Sequence, residues 1–393
     1  MIGQRLGVIA TALLLAACTA GPAATPVPMP VASATPAPTA SPPASATPTA
    51  TALGSPAAAT DQPTATAEPT STSTPERSPS SPAWSELTAA GPAPGPREDH
   101  SWTVDDAGAT AYLFGGRAGG SDGRQALADL WAYDLASDSW QQLAPAGDRP
   151  AARFGHVAAW LDGRGLLVWS GQGRRDFFTD VWLFDPTAGS WSELPASGAV
   201  PPSRYGSCGG IGPDGQLWIS HGFTADSGRF ADTRSYDLAT GSWTDSTPAG
   251  TLPVNRCLHR CFWLPSGQLL LYAGQTTGVA ALGDAWLFEP GVGWRELAPP
   301  PPPARQLPAL AVTGDSAWIF GGGAIDGSFL GDLWRIDLAE MTWHQQAAVD
   351  GTPAARSAGA LIADPGRDRL LLFGGLAEGG TLADLWQLRT DDR

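Results

Sequence analysis

The chain has 393 residues, with 48 glycines, 37 prolines, 17 tryptophans and only 16% charged side chains. All 23 basic residues are arginine, so Schiff-base or general-base lysine chemistry is excluded. A formal net charge of -15 argues against nucleic acid as a partner, because affinity there comes largely from neutralising phosphates.

The first residues carry Arg5, an apolar run from Leu6 to Leu15, and then Leu15-Ala16-Ala17-Cys18. A run this short predicts a signal-peptide core, since a membrane-spanning helix needs about 20 residues. The Leu-Ala-Ala-Cys ending resembles the bacterial lipobox, which implies that Cys18 becomes lipidated and that 1–18 is a lipoprotein signal peptide. The expected localisation is therefore extracytoplasmic, with the membrane reached through a lipid anchor.

Residues 19–82 are almost wholly Pro, Ala, Thr and Ser. Such a segment buries too little apolar surface to offset its ordering entropy, which predicts a disordered, partly polyproline-like tether. At ~3.1 Å per residue it reaches about 200 Å when extended.

From residue 83 the chain repeats. LADLWAYDLASDSWQQL from 127 aligns with FTDVWLFDPTAGSWSEL from 178, and further copies begin at 230, 282, 330 and 382. Each copy follows an arginine (Arg97, Arg153, Arg204, Arg256, Arg305, Arg356) and an apolar run ending in small residues, such as YLFGG from 112 or LLLFGG from 370. The aspartates Asp129, Asp180, Asp232, Asp284, Asp332 and Asp384 are 51, 52, 52, 48 and 52 residues apart. Four short strands per unit of about 50 residues predict a propeller blade, because one such sheet buries neither face alone and must stack on its neighbours.

The paired glycines Gly115-Gly116, Gly321-Gly322 and Gly374-Gly375, each followed by an aromatic strand and a spaced Trp, resemble the kelch-repeat family over nearly all of 83–393. The fold expected is all-β, a six-bladed kelch β-propeller. Ser170, His221 and Ala273 replace the first glycine in units two to four, and Arg234 stands where the other units have Trp. The sixth unit stops at Arg393 without its outer strand, and Trp84-Ser85-Glu86-Leu87 is an outer strand without a unit. Pairing the two closes the last blade with an N-terminal strand around Trp84–Leu87. Eleven of the 17 tryptophans fall in two columns, Trp131, Trp182, Trp286, Trp334 and Trp386, then Trp84, Trp140, Trp191, Trp243, Trp294 and Trp343. Both columns are expected to pack between blades.

The six arginines admit two readings. In kelch proteins that bind acidic peptides, arginines near this position touch the ligand, so the resemblance makes Arg97, Arg153 and Arg256 binding candidates at the channel mouth. Strand alternation also puts each repeated Arg on the face of a repeated Asp, where six pairs neutralise the ring. His100, His156 and His259 follow their arginines by three, either as polar residues closing a strand entrance or as converging ligands; no metal and no cofactor is expected. The string Gly119-Gly120-Ser121-Asp122-Gly123 fits G-x-S-x-G, yet sits in a glycine-rich loop rather than the strand-turn-helix of a hydrolase elbow.

Loops between the second and third strands differ in every unit, and loops on a rigid scaffold commonly carry binding. Arg174, Arg175, Phe177 and Phe178 are the strongest local candidates, with Arg229 in the next unit; the alternative is a solvated loop whose phenylalanines pack inward. An exported protein permits disulfides. Neighbouring inner strands bring Cys208 toward Cys261, while the pairings of Cys208 with Cys257 and of Cys257 with Cys261 stay open. The function expected is a cell-surface, lipid-anchored binding module, a monomer, for a protein or glycan partner. The alternative is a carbohydrate-active kelch enzyme, similar to sialic acid epimerases or sugar oxidases, although no acid, base or metal set stands outside the repeat columns and the oxidase's Tyr-His dipeptide has no match.

Overall fold

The computed structural model describes residues 82–119, 125–226, 228–347 and 351–390. The expected leader (1–18), all of the tether (19–82) but its last residue, and most of the G-x-S-x-G string lie outside them. Among the described residues there is no helix, and six antiparallel sheets of four main strands succeed one another along the chain. Blade 1 consists of Ser101–Val104, Thr110–Phe114, Leu130–Asp134 and Ser139–Leu143, ordered from the axis outward. Blades 2 to 5 repeat that order, their inner strands being Val157–Leu161, Cys208–Ile211, Arg260–Trp263 and Ala309–Thr313.

The second strand of each blade reads as an uninterrupted apolar run because both of its faces are covered. Gly165–Trp169 and Leu269–Tyr272 are buried at every residue, as expected for a strand sandwiched between two neighbours. Six hydrophobic clusters fill the six junctions between successive blades, and a seventh sits on the axis. All eleven tryptophans of the two columns lie in the six junction clusters, as their spacing predicts; Trp343 and Trp386 are the two partly exposed members.

Blade 6 is built from both ends of the domain. Ala360–Asp364, Arg369–Ala377 and Gly380–Arg389 are joined by Ala83–Glu86, in the register Trp84 opposite Leu388 and Glu86 opposite Trp386. Trp84 is buried and lies 5.2 Å from the Phe320 ring of blade 5. The junction with blade 1 carries a latch that the repeat pattern did not announce. Arg369 donates to Asp364 (2.8 Å) and Gln387 (2.9 Å) in its own blade and to Asp138 of blade 1, which also accepts from Tyr133 (2.9 Å) and Arg367 (3.0 Å).

Each second strand ends in a two-residue bulge. The first bulge residue has φ between 57° and 69°, a left-handed conformation open to L residues, so Ser170, His221 and Ala273 fit there. The second has φ between 101° and 118°, where only glycine is at ease, and it is glycine in all six blades: Gly116, Gly171, Gly222, Gly274, Gly322 and Gly375. The N–H of that glycine donates at 2.8–3.0 Å to the carbonyl of the repeated arginine in the following blade, and Gly375 donates to Arg97, so six bonds close a circle.

Removing residues 83–90 exposes the outer edge of Gly380–Arg389 and one side of the core between blades 5 and 6. The milder change Trp84→Ala is expected to cost about 3–5 kcal/mol. Thermal melts check both; a protein starting at residue 91 with an unchanged melting temperature refutes the closure.

Candidate functional site

The repeated arginine ends the connection from the preceding blade, and its side chain is spent on the scaffold. In every blade its Nε donates to the carbonyl two residues earlier (2.9–3.1 Å), and Nη1 donates to the carbonyl of the first bulge residue (2.8–3.0 Å). Nη1 and Nη2 also grip the repeated aspartate in a bidentate pair at 2.6–3.0 Å. Arg97, Arg153 and Arg256 are 2%, 0% and 0% exposed, so these binding candidates present no open cationic ring: their donors are already taken up inside the blades. Phe178, read from the sequence as a loop contact, lies over the Arg153 guanidinium at 4.2 Å, as Phe230 does over Arg204 at 3.9 Å.

The aspartate does more than neutralise the arginine. Its Oδ2 accepts the indole N–H of the Trp two residues on, at 2.6–2.7 Å, in blades 1, 2, 4, 5 and 6. In blade 3 Arg234 takes that place and donates its Nε–H to Asp232 at 2.9 Å, while pairing with Asp245 at 3.2 Å. The apparent break in the repeat is thus a change of donor, and the Trp column is hydrogen-bonded as well as packed. Burial works to raise the six carboxyls, but hydrogen bonds and charge from the arginines, helped by the indole or Arg234 donor, outweigh it and hold them below the usual range.

His100 and His259 are buried, and His156 half-buried, beneath the bulge of the preceding blade, against Phe373 (5.6 Å), His221 (5.4 Å) and Phe114 (5.4 Å) respectively. Burial first, and then neighbouring charges, Arg97 on His100 and Arg153 on His156, keep these rings neutral. His156 and His221 are pulled to about 3, and His100 and His259 well below 6.5. Among the described residues no group of three or more His, Cys, Asp or Glu gathers at metal-binding distance.

At the axis, the residues two places after each arginine form a second closed circle. Asp99, Gly155, Gly206, Leu258, Leu307 and Ala358 all have φ between 49° and 66°, and each N–H donates to the carbonyl of the preceding member at 2.9–3.0 Å. Phe154, Tyr205, Phe223, Cys257, Leu258, Leu307 and Ala358 pack there into one apolar cluster. Beside it Glu98 binds Arg117 (2.8 Å) and the Tyr205 hydroxyl donates to Asp99 (3.3 Å). Burial pushes the Glu98 carboxyl up to about 7, opposed by the Arg117 charge and assisted by that of Asp99. The charge of Arg260, whose Nε donates to the Pro308 carbonyl at 2.9 Å, reaches Asp99, Tyr205, His100 and His259. Neither the Glu98–Arg117 pair nor Arg260 repeats, and sequence reading missed them for that reason.

Cys208 and Cys261 form a disulfide with Cα atoms 5.6 Å apart, joining the inner strands of blades 3 and 4; Cys257 is a buried thiol. The variable loops share a face with the arginine ends of the inner strands. Arg174 and Arg175 are exposed there, whereas Phe177 is half-buried against Phe223 at 6.1 Å. Arg229 lies over the ring of Phe223 (5.5 Å) and donates to Thr277 at 3.0 Å. Phe177 and Phe178 thus both pack against the scaffold, as the alternative reading of this loop expects, while Arg174 and Arg175 stay exposed. Of the five exposed large hydrophobic residues among the described ones, Val200, Val254, Val279 and Ile325 lie on this face, and Val292 lies opposite.

The family model of the KLHDC2/KLHL20/DRC7 Kelch-repeats domain matches residues 76–274 and 253–393, and the chain belongs to this family of kelch-repeat β-propellers, which are generally protein-interaction modules. It is 29% identical over 340 residues to the flagellar outer arm dynein alpha chain of Chlamydomonas reinhardtii, covering 78% of this chain and 7% of that protein. Tip elongation aberrant protein 1 of Schizosaccharomyces pombe is 29% identical over 324 residues, covering 78% and 27%. Kelch domain-containing protein 10 of Xenopus tropicalis is 27% identical over 288 residues, 67% of each chain. The chain thus spans only a small part of the first two relatives.

Acid should loosen this scaffold in a defined window. His100, His156, His221 and His259 are neutral when folded and protonate near 6.5 when unfolded, so their stabilising effect is complete above that pH and is lost as pH falls through 6 to 4. Glu98 works the other way between about 7 and 4.5, since the folded state holds its proton there. Unfolding near pH 5.5 is therefore expected to take up about three protons, read from the slope of stability against pH at ~1.4 kcal/mol per proton per pH unit. A flat stability profile from pH 7 to pH 5 contradicts it.

Proposed function

We propose that this propeller is a protein-binding module that receives an acidic, aliphatic segment of its partner on the loop face. The observation that carries the reading is the gathering of four of the five exposed large hydrophobic residues on that face, beside the exposed Arg174 and Arg175 and the loop arginine Arg229. Aliphatic anchors on the same face as the adjacent Arg174 and Arg175 suit a partner segment that offers both apolar side chains and a carboxylate. Burial of the hub arginines inside the blades leaves recognition to the variable loops, the part that differs from blade to blade.

We place the module outside the cytoplasm, held to a membrane through lipidated Cys18. Support comes from the lipobox-like Leu15-Ala16-Ala17-Cys18 and from the disulfide between blades, a bond favoured in oxidising compartments. The alternative of a carbohydrate-active enzyme at the channel mouth gains no support from an axis occupied by Phe154, Tyr205, Leu258 and Leu307.

The test uses the full chain in a bacterial host, with partners captured by crosslinking. Arg174→Glu combined with Arg175→Glu and Val254→Asp is expected to lower capture at least about tenfold, while Arg164→Glu on the opposite face leaves it intact. Equal capture by both variants sinks the loop-face reading. In the same cells a palmitate label should enter the wild-type chain and be absent from Cys18→Ala; labelling of both removes the anchor.

A further inference from the structure

The junction of blades 1 and 2 differs from the others at its outer half. Where the third strand of the other blades carries Leu183, Ser235, Leu287, Arg335 or Gln387, blade 1 carries Ala132. The missing side chain leaves a cleft of about 570 Å³ between Leu130–Asp134 and Ser139–Leu143 of blade 1 and the turn after Phe184 of blade 2. It continues past Leu143, Ala144 and Pro145 into a second cleft of about 490 Å³ toward the loop face.

The walls define a chemistry. Tyr112 stacks on Trp160 at 5.2 Å with an interplanar angle of 18° and stands 6.0 Å from Phe184, forming an aromatic wall. Around Tyr112, on the same face of the blade 1 sheet, stand Thr110, Ser139 and Gln141, with Ser137 in the turn beyond. The carboxylate in the larger cleft, Asp134, already accepts the backbone N–H (2.6 Å) and hydroxyl (2.7 Å) of Ser137, so it asks for no cation. In the second cleft Asp129 is held by Arg97 and Trp131.

We propose that this cleft between blades is a binding site for a neutral saccharide, laid with a C–H face against the aromatic wall and its hydroxyls toward Thr110, Ser139 and Gln141. A ring system with apolar faces and a polar circumference matches an aromatic patch flanked by hydroxyls and an amide, and the length of the two joined clefts suits a short linear chain better than a monosaccharide. The site is separate from the loop face and does not depend on it.

Titration of the full chain with maltotriose, cellotriose, xylotriose and triacetylchitotriose, followed by calorimetry and by the fluorescence of Trp160 and its neighbours, tests the assignment. Binding of at least one trisaccharide is expected at concentrations below about 10 mM. Ala132→Leu restores the side chain that blades 2 and 4 accommodate, and should weaken that binding at least about tenfold with an equal or higher melting temperature. Gln141→Ala, at an exposed position, should weaken it about fivefold and keeps the test informative if the leucine variant folds poorly. Arg174→Glu with Arg175→Glu should leave saccharide binding unchanged. The proposal is overturned if none of the four binds, or if binding survives both cleft variants at full strength.

Discussion

The structure depends on one repeated constraint, the burial of an arginine at the start of every blade. A guanidinium removed from water must have its donors met, and here the carbonyl two residues back, the bulge carbonyl and a bidentate aspartate meet them. Each of those partners lies on a different strand or connection, so satisfying one side chain fixes the relative positions of three chain segments. The arginine's own carbonyl then receives the glycine N–H of the preceding blade, and the same residue that organises one blade fastens it to the last. Hydrophobic burial between blades supplies most of the stabilisation but tolerates sliding; this hydrogen-bonded hub does not.

Much of this was legible because the sequence repeats. A period near 50, strands of four or five residues and small residues at the bulge specify blade count and strand order from backbone geometry alone, and the unaccompanied Trp84 strand follows from counting strands. The pairing of Arg with Asp was legible for a similar reason, since strand alternation puts both on one face. The donor role of the Trp column was not, because the indole N–H reaches an acceptor only two residues away and packing alone accounts for a column of tryptophans. Arg234 carried the missing signal: a cation replaces an indole only where the shared property is an N–H donor.

What lies outside the repeat was harder to read. Phe177 and Phe178 look alike in the sequence, yet one stops against Phe223 and the other over Arg153, a distinction set by neighbours about 25 to 50 residues away. The Arg369 latch and Arg260 depend on single residues meeting across the closing junction or the axis, and the raised Glu98 carboxyl on burial beside Arg117 and Asp99, none of which the repeat marks. Ala132 was visible as a departure within its column, but its meaning is a volume, and volumes emerge only when two blades are placed side by side.

The closure of blade 6 also decides how the molecule bears load. Ala83 lies opposite Arg389, so tension arriving from residue 82 acts first on the end of a four-residue strand rather than on the hub. In that position Ala83–Glu86 cannot leave the sheet without drawing Trp84 from its seat against Phe320. The strand that completes the ring is therefore the first part of the domain to feel a pull from the N-terminal side, ahead of the other three strands of its blade.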